Sequence, residues 1–571
     1  MKVLWANPFF RSRYLLAVVS GLLLAAAFPR WEVAGCAWVA PGLMVAAALG
    51  KSGWERFRVG YVAALSYYLT TLYWLLLIPY RWHGIPLGPA AGWLALSGFA
   101  ALFPASWVWL VAAVGRQGLR VHGPQSTVHG PETAVHGPEG VMPGSWVRRM
   151  LWALSGAAAW VAYEMVLARI FGGFPWDLLG VSQYRLVPLI QIASVTGVYG
   201  LSFLAVWLSL AMLSGGLMAI RRPTLRSSWL GEVVLPLLAV SVLFNLGLRQ
   251  LRREIPPART LRVTLVQPSI PQTLIWDANA GETRFRELLS LSERALSNRT
   301  ELLLWPESAL AKPLRYDQAT FDAVTELARR HRVWIILVSD DFEPRAGAVK
   351  PEEQDEFNSS FLISPEGKVT ERYIKRNLVI FGEYLPLERW LAFLKFFTPI
   401  EGGFTPGTHA VQFRLPDLGV QTTPLICFED VFPHLARTGV EPETDFLVNL
   451  TNDGWFDESA EQWQQALSGL FRAVENGLPL LRCCNNGLTC WVDAQGRLRQ
   501  VLRDERGGVY GAGFMTVDIP LRAAGERRAL TFYTRHGDWF GWGCVGIVGI
   551  TLLRRLRLSI RFARTPSALH S

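Results

Sequence analysis

Long apolar runs separated by short polar breaks fill the first 250 residues, and from residue 261 the pattern changes to short apolar segments alternating with amphipathic ones. A helix that crosses a bilayer needs about 20 mostly apolar residues. Seven such runs precede the change, near 14–28, 33–50, 60–78, 90–114, 150–171, 198–220 and 230–248. An eighth, shorter and glycine-rich, lies near 537–553, before the basic run RRLRLSIRFAR. After residue 261 the pattern predicts strand Leu261–Val266, helix 281–297, strand Leu302–Trp305, helix 317–331 and strand Val333–Val338. Such alternation predicts a layered α/β domain. The chain therefore reads as a helical membrane domain over 1–250, a folded α/β domain over 258–525, a transmembrane helix over 537–553 and a basic tail over 554–571.

Composition agrees with a membrane half joined to a soluble half. Of 571 residues, 51% are hydrophobic and only 18% charged, against about 25% charged in ordinary soluble proteins. The formal net charge is +10. No basic–aromatic recognition element accompanies it, so a nucleic-acid partner is not predicted. The positive charge instead clusters in alternate loops: Lys51, Arg56 and Arg58, then Arg116, Arg120, Arg148 and Arg149, then Arg221, Arg222 and Arg226, then the C-terminal arginines. The intervening loops carry mainly Arg30 and Arg81. The positive-inside rule then puts both termini in the cytoplasm and the α/β domain outside. Arg249, Arg252 and Arg253 oppose this assignment, but long translocated domains override local charge. The first run, with Lys2, Arg11 and Arg13 before it and Ala25 to Ala27 at its end, has features of a signal peptide. Because further spans follow at once, an uncleaved anchor is the simpler reading. Residues 121–140 repeat VHGP at 121, 128 and 135, which reads as a flexible cytoplasmic loop. Glu164 and Arg169 fall in or at the end of the fifth run, where they are either functional or simply at the outer interface, and GGFPW at 172–176 reads as a turn at the outer surface, either purely structural or beside a route for lipid.

There are six cysteines, Cys36, Cys427, Cys483, Cys484, Cys490 and Cys544. With the histidines they form no metal-ligand pattern, so neither metal nor cofactor is expected. They are too few for a disulfide-built scaffold, which leaves at least one free to act as a nucleophile.

Reactive groups follow three apolar strand-like runs. LLLWPES places Glu307 after one, TTPLICFED places Cys427 after another, with Glu429 and Asp430 behind it, and RYIKRNLVIFGEYLP supplies Lys375 and Glu383. A Glu–Lys–Cys set performs acyl transfer: Glu takes the thiol proton, Cys attacks a carbonyl, and Lys supports the negative oxygen. Each residue alone also has a plain reading, as a helix-cap carboxylate, a solvated lysine and a buried inert thiol. Spacing and residue type leave both readings open.

Further motifs narrow the choice. QIASVTGVYGLSF at 191–203, VQPSIPQTLIWD at 266–277, WPES at 305–308, FGEYLP at 381–386, CFED at 427–430, NLTNDGWF at 449–456, NNG at 485–487 and TFYTRHGDW at 531–539 together resemble the apolipoprotein N-acyltransferase family, the membrane-embedded branch of the nitrilase superfamily. The resemblance covers nearly the whole chain. It implies a multi-span α-helical membrane domain carrying an extracytoplasmic nitrilase-like αββα sandwich in the bacterial inner membrane. It also implies a two-step reaction. A phospholipid donor, phosphatidylethanolamine, gives its sn-1 acyl chain to Cys427. The thioester then acylates the amine of the S-diacylglyceryl cysteine that begins an apolipoprotein. The implied roles are Glu307 as base, Lys375 as oxyanion-side cation, Cys427 as nucleophile and Glu383 as the partner of Lys375. Trp276, Phe428 and Glu429 would shape the pocket, with Asn452 and Trp455 as its wall.

The chain departs from the family pattern at Phe428, where Tyr is common, and at Trp463 and Gln465, where histidines often occur. Cys483, Cys484 and Cys490, around NNG, read as packing on a sheet face, with a disulfide as the lesser alternative. LAFLKFFTPIEGGF at 391–404 reads either as core or, the favoured reading, as a lid that dips into the bilayer and admits acyl chains. Two other functions use the same features: a membrane-tethered amidase acting on small amides, and a non-enzymatic sensor or transporter. The multi-span half argues against the first and the retained triad against the second.

Overall fold

The computed structural model describes residues 13–79, 87–117, 145–221, 224, 226–252, 257–275, 277–345, 354–385 and 403–564. Trp276, the 121–140 repeat and most of the 391–404 segment, including Phe396 and Phe397, lie outside the described residues.

The helical half contains α1 (Arg13–Ala26), α2 (Ala40–Ala48), α3 (Gly53–Thr71), α4 (Gly88–Gln117), α5 (Trp146–Leu167), α6 (Tyr199–Arg221) and α7 (Arg226–Leu251). Four stretches are long and apolar enough to cross a membrane unaided: Gly88–Ala113, Trp146–Leu167, Tyr199–Ile220 and Trp229–Leu251. Two other runs form shorter apolar helices, Arg13–Ala26 and Trp539–Arg554. The run at 33–50 splits into a single tight turn, Ala34–Trp38, and the nine-residue α2. At about 1.5 Å per residue α2 spans roughly 14 Å, half a hydrocarbon core. Its apolar residues face protein: Ala40, Met44, Val45, Ala47 and Ala48 are buried. Small residues allow this close fit. A Cβ on Gly42 would lie 2.7 Å from the Ser209 carbonyl oxygen of α6, and the Gly42 amide donates to the Ser209 hydroxyl at 2.8 Å.

The α/β half is two six-stranded sheets face to face. The first contains β1 (Arg259–Gln267), β2 (Leu302–Leu304), β3 (Trp334–Pro344), β4 (Gln354–Ile363) and β5 (Val369–Ile374). The second contains β6 (Phe413–Leu415), β7 (Val420–Ile426), β8 (Phe446–Thr451), β9 (Leu480–Cys484), β10 (Cys490–Val492) and β11 (Leu498–Val501). The last strand, β12 (Gly513–Leu521), returns to the edge of the first sheet beside β1. β1, β2 and β3 run parallel, as do β7, β8 and β9, so each trio delivers its strand ends to one edge. Strands buried on both faces need continuous apolar sequence, which LLL in β2 provides. The inter-sheet core includes Leu304, Ile336, Phe413, Ile426 and Cys483. Helices α8 (Gly281–Ala295) and α9 (Gln318–His331) cover the first sheet, which completes an αββα sandwich on that side.

Helix α10 (Glu461–Asn476) covers the second sheet, and every residue in it but Trp463 is buried. Its far side is the helical half, so its polar groups must find partners there. Gln464 accepts the indole N–H groups of Trp74 (2.9 Å) and Trp176 (2.8 Å) and donates to the carbonyls of Pro29 (3.0 Å) and Thr71 (3.3 Å). Glu475 accepts the Val198 amide at 2.9 Å. The chain closes with α11 (Trp539–Arg564), which packs on α5. Just before it, Asp538 accepts the Tyr533 hydroxyl at 2.7 Å and pairs with Arg169. Glu164 is buried in α5 and accepts the Trp160 indole and the Leu179 amide, both at 2.9 Å.

Candidate active site

The ends of β2, β5 and β7 converge. Glu307 follows β2, Lys375 follows β5, and Cys427 directly follows β7. The Lys375 ammonium lies 2.8 Å from Glu383 Oε1 and 3.4 Å from Glu307 Oε1. Asn358 Nδ2 donates to the same two oxygens, at 2.8 Å to Glu307 and 3.1 Å to Glu383. Two carboxylates are thus held side by side by one ammonium and one amide. Glu383 is fixed in turn by the Val379 amide at 2.8 Å.

Cys427 has φ 52, a left-handed conformation that a side chain with a Cβ adopts only when its surroundings enforce it. Two buried residues enforce it. Asn449 Nδ2 donates to the Cys427 carbonyl at 2.8 Å. Glu429 accepts the Ile426 amide (2.8 Å), the Arg376 amide (2.7 Å), the Asn377 amide (3.2 Å) and the Tyr373 hydroxyl (2.8 Å). Glu429 is fully buried, so it shapes the site by tying the turn after Lys375 to the residue before Cys427.

Burial raises the Glu307 carboxyl, against the pull of Lys375; the neighbouring Glu383 raises it further, and hydrogen bonds from Asn358 and Cys427 lower it. Burial and the charge of Glu307 hold the Cys427 thiol well above its usual value, with Lys375 opposing them. Burial alone would lower the Lys375 ammonium, but the carboxylates of Glu307 and Glu383 hold it well above the ordinary lysine range. At rest, then, a protonated thiol faces a carboxyl made more basic by burial, beside a cation that stays charged. This arrangement suits proton transfer followed by thiolate attack.

The helical half supplies a wall. Phe428 stacks on Trp176 (ring centroids 5.9 Å), lies 6.4 Å from Phe174 and meets Phe432 edge-on at 5.1 Å. Trp176 contacts Trp74 at 5.1 Å, and Trp74 meets Phe456 at 4.4 Å. GGFPW thus lies against the residue next to Cys427. A hydroxyl at position 428 is not needed for this contact, which is made ring to ring. On the other side, Asn452 is buried, donates to Gln272 Oε1 at 2.9 Å and accepts from Asn485 at 3.1 Å. It joins the IPQT, NDGWF and NNG motifs in one network. Trp455, three positions on, is half-buried. Gln465 donates to Asp430 at 3.1 Å, and Asp430 also meets the buried Arg482. Cys483 fills the inter-sheet core, 3.3 Å from the Val266 carbonyl.

Sequence reasoning did not single out Asn358, Tyr373 or Asn449. Asn358 is placed by strand register. Ser359 pairs with Ile374 across β4 and β5, which sets Asn358 opposite Lys375, but that register is not visible in one sequence.

Two family models match the chain: the carbon-nitrogen hydrolase model over residues 262–528 and the apolipoprotein N-acyltransferase N-terminal domain model over residues 20–211. A protein named apolipoprotein N-acyltransferase from Geobacter metallireducens is 32% identical over 559 residues, covering 96% of this chain and 96% of its own. The chain belongs to the apolipoprotein N-acyltransferase family. Its relative in this family from Methylococcus capsulatus is 32% identical over 95% of this chain and 96% of its own. Membership brings acyltransferase activity and a membrane-associated helical half, in keeping with the four long apolar helices. A mutant of the Nesterenkonia AN1 amidase from the nitrilase superfamily is similar over 47% of this chain and 93% of its own, at 18% identity and a TM-score of 0.35.

Proposed function

We propose that this acyltransferase moves the sn-1 acyl chain of a phospholipid, phosphatidylethanolamine in the first instance, through a thioester on Cys427 to the N-terminal amine of S-diacylglyceryl-cysteine apolipoproteins. In the first step Glu307 removes the thiol proton and the Cys427 sulfur attacks the ester carbonyl. Lys375 stabilises the oxyanion. The carbon–oxygen bond then breaks, Glu307 returns the proton to the departing lysophospholipid oxygen, and a thioester remains. In the second step the acceptor amine attacks the thioester, Glu307 takes its proton and passes it to the departing Cys427 sulfur, and an amide forms as the resting thiol is restored. Glu383 and Asn358 keep Lys375 and Glu307 in register, and Glu429 fixes the nucleophile turn. Phe428, with Asn452, Trp455 and Trp276, belongs to the pocket. The reaction as written needs neither metal nor cofactor.

The same reading divides the chain into a membrane domain over 1–250, a catalytic domain over 258–525, a last span over 537–553 and a cytoplasmic tail, in the inner membrane with catalysis on the periplasmic side. The arginine asymmetry of the loops supports that orientation. One observation carries the functional reading: aromatic residues of the helical half, Phe174 and Trp176, lie against the residue next to Cys427. An enzyme acting on soluble amides has no use for that contact. The test is the full chain in vesicles with a phospholipid labelled on its sn-1 chain and a diacylglyceryl lipopeptide. Label should move to the peptide amine with equimolar lysophospholipid. Hydrolysis of small amides with no movement of label would replace this reading with the amidase one.

A further inference from the structure

The aromatic wall beside Cys427 has a counterpart at the opposite end of the helical half. Helix α3 leads into Tyr73, whose hydroxyl accepts the Ala460 amide of the catalytic domain at 3.2 Å. Its other end carries Trp54, roughly 28 Å away along the helix at about 1.5 Å per residue. There Trp54, Phe57 and Tyr61 share one face of α3. Trp54 stacks on Phe57 at 5.1 Å and 8°, and Phe57 on Tyr61 at 6.2 Å and 17°. With Tyr14 of α1 and Leu102 of α4 they line a groove of about 450 Å³.

Arg58 stands at the groove with its guanidinium 5.8 Å over the Trp54 ring. Among the described residues no carboxylate forms an ion pair with it. The adjacent Glu55 is engaged by the Tyr14 hydroxyl at 2.8 Å. Arg13, Lys51 and Arg56 lie at the same end: Arg13 bonds the Ala46 carbonyl, and Arg56 the Lys51 carbonyl. The groove is therefore apolar and ring-lined along its length, with Arg58 as the cation among its described lining residues and the Glu55 carboxylate, held by Tyr14, beside it. A zwitterionic lipid satisfies only the apolar part. A lipid with net negative charge satisfies both, because a guanidinium binds phosphate through two parallel N–H donors and basic pockets between membrane helices select anionic headgroups.

We infer that this groove binds one anionic phospholipid, its phosphate on Arg58 and an acyl chain along the Trp54–Phe57–Tyr61 ladder toward Leu102, as a ligand separate from the acyl donor. The inference rests on the membrane placement of the helical half and is independent of the chemistry at Cys427. The test uses the full chain, stripped of lipid in detergent and titrated with phosphatidylglycerol or phosphatidylcholine, with bound lipid counted by native mass spectrometry. One phosphatidylglycerol should be retained, about fivefold more tightly than phosphatidylcholine, the factor expected from one arginine at a lipid headgroup. Arg58→Gln should abolish the preference, and Arg286→Gln on the catalytic domain should leave it intact. Cys427→Ala should leave the adduct intact as well, so that retention does not depend on thioester formation, while loss of the preference in Arg58→Gln places the lipid in the groove and not at the active site. Trp54→Leu, which keeps the arginine, should weaken retention of both lipids and serves as a second arm if Arg58→Gln does not fold. Equal retention of the two lipids by the unmodified chain, a preference that survives Arg58→Gln, or retention unchanged in Trp54→Leu would overturn the site.

Discussion

Asn358 donates one amide nitrogen to both carboxylates that Lys375 touches, and this small arrangement sets the pH behaviour of the site. Glu307 works as a base only when ionised. Burial raises its carboxyl, so activity should be present above that raised value and fade as pH falls through it, at a pH above the range of an ordinary carboxylate. The Asn358 hydrogen bond pulls the value down. Asn358→Leu should therefore move the acid limb of kcat/KM to higher pH. It should also slow turnover at neutral pH by about 10- to 100-fold, the rate equivalent of the ~1.5–3 kcal/mol carried by a hydrogen bond to a charged group. An acid limb that stays in place at full rate would show that Asn358 does not act on Glu307. Glu307 and Cys427 stood out in the sequence because each follows an apolar strand; Lys375 follows the mixed strand VTERYI, and only the family motifs decided its reading. Glu429 was legible as a residue but not as a clamp, since Tyr373, Arg376 and Asn377, which it joins to its own neighbour Ile426, lie in one segment far away in the sequence.

At the scale of elements, the loop GGFPW shows how little room the junction leaves. Gly173 has φ 87, and a Cβ there would lie 2.2 Å from the Ala168 carbonyl oxygen and 2.9 Å from the Phe432 ring. Gly173→Ala would carry backbone strain of about 1–3 kcal/mol in addition to that clash, so the loop should leave its position against Phe428. Turnover of phospholipid in vesicles should then fall more than turnover of a short-chain, water-soluble acyl donor. Equal loss on both donors would mean that the loop serves stability alone. The five elements that open the catalytic half, β1, α8, β2, α9 and β3, were legible from their apolar patterns, though β3 runs on to Pro344, past the predicted end at Val338, and the later strands and α10 were given no bounds. The runs at 33–50 and 60–78 were not legible. Hydropathy cannot tell an apolar residue that faces lipid from one that faces protein, and the apolar residues of α2 face protein.

For the whole molecule, the sequence divided the chain into a helical and an α/β half but gave no sign of how the halves join. The junction is made by polar groups inside an amphipathic helix, above all Gln464 with its four partners from the helical half, and its logic appears only when α10 is seen covered on both sides. The orientation of this assembly is open to a direct test. Reporter fusions within 121–140 and after 556 should report the cytoplasm, and one within 346–353 the outside. A cytoplasmic signal from the last would invert the proposed topology.

The central claim, that Cys427 carries the acyl chain, is tested most directly by intact mass. The full chain is incubated with phospholipid and no acceptor amine. A dry site protects a thioester from water, so one fatty acyl group should accumulate, be released by neutral hydroxylamine and map to Cys427. The adduct should be absent in Cys427→Ala and Glu307→Gln and present in Cys483→Ala, Cys484→Ala and Cys490→Ala. An acyl group on any of those three cysteines, or full transfer activity in Cys427→Ala, would contradict the account.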